Sequence, residues 1–298
     1  MIQEKSWATR LFHGTNFTVL SLLGLSMLLP FVNLIAKSLS SDYAVIAGQV
    51  GLWPIGFQID TYKYVLAQEQ FKTSFLNSFI LLAVGTFSSL FCTVTTAYPL
   101  SRIHLKGRKV FLYLWIFVML FNGGMIPNYM LFRYLRLTDT FQVLFLPMLV
   151  NVFNMLIVKN CFEEIPDALE EASKIDGASN IRILFQIMLP ISLPSLATVT
   201  LFYMVSYWND YFTAMIYISS PALKPLQLYL YEMIYNAMKV LNEGVNAQSV
   251  VSIESAMNLT PDSIRATTIV VATLPILVVY PFLQRFFIKG MVVGSVKG

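Results

Sequence analysis

The residues whose types and spacing set this chain apart are Glu171-Ala172-Ser173-Lys174-Ile175-Asp176-Gly177, followed ten residues later by Ile187-Met188-Leu189-Pro190. They do not form a catalytic set. The chemistry they suit is mechanical docking. Ile165, Ala168, Leu169, Ala172 and Ile175 recur at three- and four-residue spacings and give one apolar stripe, while Glu163, Glu164, Asp167, Glu170 and Glu171 fill the remaining surface. Pro166 suits a first helical turn, where its missing N–H has no intrahelical partner, and the nearby carboxylates complement the positive end of the helix dipole. Gly177 falls where a left-handed residue would end such a helix. The result is a short rigid lever by which something soluble can push on its neighbours.

Other chemistries fall away on inventory. His13 and His104 are the only histidines, so neither a histidine-based triad nor a multi-histidine metal site is available. No glycine-rich phosphate cradle is followed by Lys-Ser/Thr, so this chain does not hydrolyse ATP, and energy must come from a partner or an ion gradient. Cys92 and Cys161 give neither a disulfide framework nor a zinc spacing. No catalytic residue and no bound cofactor is expected. Six of the chain's sixteen carboxylates, at 163, 164, 167, 170, 171 and 176, crowd into one loop. Two readings remain for them, a solvated acidic linker or a surface shaped for a partner.

The elements that must position this lever are membrane helices. Apolar residues make up 56% of the chain and charged residues 12%, and the mean hydropathy is +0.66. That is the composition of a bilayer protein. A hydrocarbon core needs about 20 apolar residues per helical span. Six runs qualify, near 17–36, 75–100, 110–127, 141–158, 190–209 and 266–287. The first has no small-residue cleavage site and reads as a retained signal-anchor span. The loop 101–109 carries Arg102, Lys106, Arg108 and Lys109 with no carboxylate, so it lies in the cytoplasm. Both termini, residues 1–16 and 288–298, and the coupling loop 159–189 are then cytoplasmic. The loops 38–72 and 219–265 are external. The net charge of +4 follows from the inside loops and calls for no nucleic acid. The expected fold is an all-α polytopic membrane protein whose lever lies between the fourth and fifth of six spans.

A solute path should use polar or flat side chains that lipid does not explain. Asn122, beside Gly123-Gly124 in the third span, would break helix regularity where backbone is tolerated mainly beside a cavity. Asn151 and Asn154 in the fourth, and Tyr203, Tyr207, Trp208, Asn209 and Asp210 in the fifth, supply hydrogen bonds and aromatic platforms of the kind that sugar rings require. The same tyrosines and tryptophan also fit an interfacial aromatic belt, and the asparagines fit helix-to-helix bonding.

The pattern Glu171-Ala172-Ser173, Gly177, Ile187-Met188-Leu189-Pro190 resembles the EAA loop of permease subunits in bacterial ABC importers. Ser173 stands where that pattern has a second alanine; both are small. Ala97-Tyr98-Pro99-Leu100-Ser101-Arg102, Trp208-Asn209-Asp210 and the tail from Lys289 to Gly298 resemble the maltose-type second permease, closest to the Gram-positive subgroup that imports complex or acidic oligosaccharides. The resemblance covers nearly the whole chain. It implies a plasma-membrane permease for an oligosaccharide, in which Ile165, Leu169, Glu171, Ala172, Ser173, Asp176, Gly177, Leu189 and Pro190 couple to a cytoplasmic ATPase. It further implies a second homologous permease, two ATPase subunits that bind ATP and Mg, and an extracellular solute-binding protein. A permease for another solute class is the alternative. A gradient-driven carrier would need paired acids or a Lys/Arg deep inside the spans, and none is seen away from the span ends.

Overall fold

The computed structural model describes residues 7–121, 123–243, 260–275 and 277. All regular structure among them is helical. The chain divides into two compact units, Met1–Gln68 with Glu232–Thr273 and Glu69–Tyr231 with Leu274–Gly298.

The first unit holds α1 (Trp7–Ser38), α2 (Asp42–Ile46) and α3 (Asp60–Ala67). α1 is apolar on every side, which marks a membrane segment rather than an amphipathic surface helix. A small core, Ala36, Ala44, Val45 and Val50, closes its end. Polar bonds do the rest. The Asn33 amide donates to the Val50 carbonyl at 3.2 Å and the Gly51 carbonyl at 2.6 Å. The Asp42 carboxylate accepts from the Thr260 N–H at 2.9 Å, the Thr260 hydroxyl at 3.0 Å and the Gln58 amide at 2.7 Å. Thr260 directly precedes a helical run over 261–275.

The second unit contains α4 (Glu69–Ser101), α5 (Arg108–Leu120), α6 (Met125–Tyr134), α7 (Val152–Glu163), α8 (Asp167–Ile175), α9 (Asn180–Ile183), α10 (Leu189–Ile191), α11 (Leu193–Asn209) and α12 (Phe212–Tyr217), and α13 (Leu226–Glu243) starts in it. α4 is its backbone. Its 33 residues span about 50 Å at 1.5 Å each, well beyond a hydrocarbon core of about 30 Å. Ser74, Ser78, Gly85, Ser89, Thr93, Ala97 and Ser101 lie buried along it, mostly four residues apart. Small side chains at that spacing let neighbouring helices approach closely, and α7 and α11 both pack on α4. Met155, Val158 and Phe162 of α7 and Val199, Tyr203 and Tyr207 of α11 complete the shared core.

Several expected spans are bent rather than continuous. The third breaks between α5 and α6, where Gly124 has φ +89. The fourth starts as 3₁₀ turns over Phe141–Leu144 and Leu146–Met148 and bends by 54° into α7, with Asn151 capping the new helix. The fifth bends by 86° between Asn180–Ile191 and α11, at Ser192 and just before Pro194. Among the described residues two helices are long and apolar enough to cross a bilayer, or five crossings if each bent pair counts as one. The sixth expected span is helical over 266–275; its remainder and the tail 288–298 lie outside the described residues, apart from Leu277.

Candidate functional site

The lever lies between α7 and α11. Pro166 disfavours helical backbone at Ile165. Pro166 itself is extended, with φ −57 and ψ 131, so α8 begins one residue later than the sequence suggests, at Asp167. Asp167 and Glu170 occupy its first turn and Lys174 its last, both complementing the helix dipole. Gly177, at φ +78, ends it. The Gly177 N–H donates to the Lys174 carbonyl at 3.0 Å and the Ala178 N–H to the Ser173 carbonyl at 2.9 Å, the paired bonds of a Schellman motif. Ser179 then caps the following turn by accepting from the Arg182 N–H at 3.3 Å.

The apolar stripe divides in two. Ile165 is buried under the end of α7, whereas Leu169 is 45% and Ile175 87% exposed. Ala168 and Ala172 are also exposed, and the Ser173 hydroxyl is turned back on the Leu169 carbonyl at 2.7 Å. α8 therefore presents an uncovered apolar face of Leu169, Ala172 and Ile175. Glu171 and Asp176 flank it, both exposed.

The acids do not all face outward. Glu170 is buried and pairs with Arg102 and, at 2.7 Å, with Lys174. The Glu170 carboxylate accepting this bond holds the Lys174 ammonium above its ordinary pKa. Glu163 pairs with Arg108 and, at 2.7 Å, with Lys159. Glu163 and Glu170 are thus partners of the basic loop, Glu170 buried and Glu163 still exposed, and Glu164, Asp167, Glu171 and Asp176 remain at the surface. The sequence reading missed this pairing. Its signal was present in Arg102 and Arg108, six residues apart in a loop without acids, facing Glu163 and Glu170, seven apart. Two open cavities adjoin the pairs, one of about 310 Å³ between the Tyr98–Leu105 stretch and α8 and one of about 420 Å³ beside residues 162–167.

Beyond Gly177 the chain re-enters the core. Ile183, Leu184 and Met188 are buried, Leu189 is half-buried and Pro190 is exposed. Residues Leu184–Met188 form a π-helical turn. Pro190 lacks an N–H and its ring would clash with the carbonyl four residues back, which disfavours a regular α-ladder here.

The candidate path residues separate into interior and surface groups. The Tyr203 hydroxyl meets the Thr93 hydroxyl at 2.7 Å and accepts from the Asn151 N–H at 3.0 Å. The Tyr207 hydroxyl meets Ser89 at 2.7 Å and donates to the Phe145 carbonyl at 3.3 Å. The Tyr207 ring lies so close to α4 that a Cβ on Gly85 would approach it to 2.9 Å. Asn154 is buried, and its N–H donates to the Asn151 side chain at 3.1 Å. Trp208 is buried edge-on against Phe79, with ring centroids 5.6 Å apart. Within this chain Tyr203, Tyr207 and Trp208 join α11 to α4, while the Asn154 bond is the local cap of α7. Asn151 and Asn209 are exposed; Asp210 is half-buried and accepts from the Thr213 N–H, in the first turn of α12, at 3.1 Å. Asn122 lies outside the described residues. Among the described residues no three His, Cys, Asp or Glu side chains gather as a metal site.

Residues 72–293 match the family described as binding-protein-dependent transport system inner membrane component. The chain is 43% identical to the protein LplC of Bacillus subtilis over 98% of its own length and 96% of the relative's. It is 39% identical to the polygalacturonan/rhamnogalacturonan transport system permease protein YtcP of the same bacterium, over 97% and 99%. Among solved structures it resembles a chain of a bacterial ABC transporter involved in the import of the acidic polysaccharide alginate, with a TM-score of 0.87 and 34% identity over 95% of this chain and 98% of that one. A second chain, from an alginate transporter in complex with an alginate-bound periplasmic protein, shares the fold at a TM-score of 0.54 and 15% identity.

Proposed function

The chain belongs to the family of binding-protein-dependent transport system inner membrane components, and from that premise we propose that it forms half of the translocation path of an ATP-driven importer for oligosaccharides rich in acidic sugars. The observation that carries the mechanism is the uncovered face of Leu169, Ala172 and Ile175 on a helix capped firmly at its end by Gly177. A short helix seated in a groove cannot slide independently of it, because packed interfaces are stiff. Two cytoplasmic ATPase subunits bind ATP and Mg; one of them receives α8. A second homologous permease completes the path, and an extracellular solute-binding protein delivers the sugar. The importer sits in the bacterial plasma membrane with both termini in the cytoplasm.

The acidic-sugar reading is supported by the relatives, whose names and descriptions include polygalacturonan, rhamnogalacturonan and alginate. Asn151 and Asn209 are the exposed path candidates among the described residues. The test is uptake of a labelled oligogalacturonate into vesicles holding the whole importer. Uptake that needs loaded binding protein outside and ATP inside supports the reading. Uptake driven by an ion gradient without the ATPases overturns it.

A further inference from the structure

The lever is tied to more than the fifth span. Glu170 is the one buried position on α8, and it is held by Arg102, the residue immediately beyond α4. Arg102 is also a junction. Its guanidinium lies over the Tyr98 ring of α4 at 4.7 Å, and one of its nitrogens approaches the Met188 sulfur, in the π-helical turn leading to α11, at 3.3 Å. The planar, multi-donor guanidinium can make such contacts at once, where a lysine ammonium cannot. At the other end of the same loop Arg108 pairs with Glu163, the last residue of α7, while its Nε donates to the Leu100 carbonyl near the C-terminus of α4 at 2.8 Å. The loop therefore grips both sides of the Pro166 corner.

We propose that residues 101–109 form a second transmission strut, through which movement of α8 passes directly into α4 and α5 as well as into α11. This rests on the importer reading above. Arg102 and Glu170 are positioning residues: they touch neither sugar nor nucleotide but fix α8 to the cytoplasmic end of the helix on which α7 and α11 pack. Without the pair, α8 would still be linked covalently to α11 through the bend at Ser192, but α4 would lag behind it.

Two measurements on the assembled importer test the strut. The first is a double-mutant cycle on transport stoichiometry, with Arg102→Gln, Glu170→Gln and the two together, reading oligogalacturonate taken up per ATP hydrolysed. Each single variant should lower that ratio by roughly two- to thirty-fold, the range of a coupling residue, and the double variant should fall no further than the worse single one. An unchanged ratio in either single variant, or losses that multiply in the double, overturns the proposal. The second needs no sugar. Nitroxide labels at Thr95 of α4 and Asp167 of α8, with Cys92 and Cys161 replaced by serine, should report one distance before and after trapping with ATP and vanadate. Glu170→Gln, or the milder Arg102→Lys if the first does not assemble, should make that distance change on trapping, by up to about 5 Å, one helical turn. A constant distance in the variant overturns the strut. Failure of the wild type to take up oligogalacturonate would count against the substrate reading alone, since the label distances still judge the strut.

Discussion

At the scale of single residues, Gly177 and Gly85 are both glycines for different reasons. Nothing lies within 4 Å of a Cβ built on Gly177, so its requirement is purely conformational, set by φ +78. Asparagine visits that region readily and β-branched residues do not. Gly177→Asn should therefore keep uptake close to the parent, while Gly177→Val should lose most of it with the protein still inserted, as read by vesicle uptake against membrane yield. Gly85 is constrained by space instead. A methyl there meets the Tyr207 ring, which is held by the Ser89 hydroxyl, so Gly85→Ala should destabilise the chain by about 1–3 kcal/mol, visible as a lower melting temperature. Replacing Tyr207 by phenylalanine removes the hydroxyl shared with Ser89 and should cost about 1 kcal/mol. The Lys174 pKa, raised by Glu170, sets a further expectation. A raised lysine pKa contributes stability fully below the ordinary value and loses it only as pH rises through the raised one. Uptake should accordingly show no step from this pair between neutral and mildly alkaline pH. Sequence alone identified Gly177 and the glutamate cluster. It could not tell Glu170, which turns inward to Arg102, from Glu171, which stays outside, because both positions are polar and adjacent. Tyr203 and Tyr207 were equally ambiguous, since a tyrosine hydroxyl serves a sugar or a buried threonine with the same chemistry.

At the scale of the element, α8 was legible in full apart from its first residue, because stripe, acids and glycine corner all agree. The apolar stripe that runs from Ile165 into α8 has two halves that should respond differently to change. Ile165 packs beneath α7, so Ile165→Ala should destabilise this chain itself, by roughly 2–5 kcal/mol. Ile175 is 87% exposed, and Ile175→Asp should leave folding intact while releasing the ATPase subunits; co-purification of the ATPases with a tagged permease reads this directly. Retention of the ATPases at parental levels would show that α8 is not their seat. The bent spans were less legible. A run of apolar residues reports length but not direction, and the breaks at Gly124, Asn151 and Ser192 arise from one or two residues inside otherwise uniform runs. The small-residue spacing on α4 was present in the sequence, and it marks the helix against which others close.

At the scale of the whole molecule, the expected orientation rests on four basic residues, two of which also make ion pairs inside the chain. Lys106 and Lys109 are exposed, whereas Arg102 and Arg108 are half-buried in ion pairs. The Lys/Arg bias expected to set topology during insertion thus also supplies, through Arg102, a contact that holds α8. If the loop 101–109 were outside, α8 would be outside too, and no cytoplasmic ATPase could reach it. Orientation is therefore the condition on which every coupling argument depends. It can be measured with single cysteines at Lys106 and Trp53, both exposed, in a background where Cys92 and Cys161 are serine. An impermeant maleimide should label position 53 in right-side-out vesicles and position 106 only in inverted ones. The reverse pattern would place the lever on the wrong face of the membrane and remove the ATP-driven reading with it, whatever the chain's relatives transport.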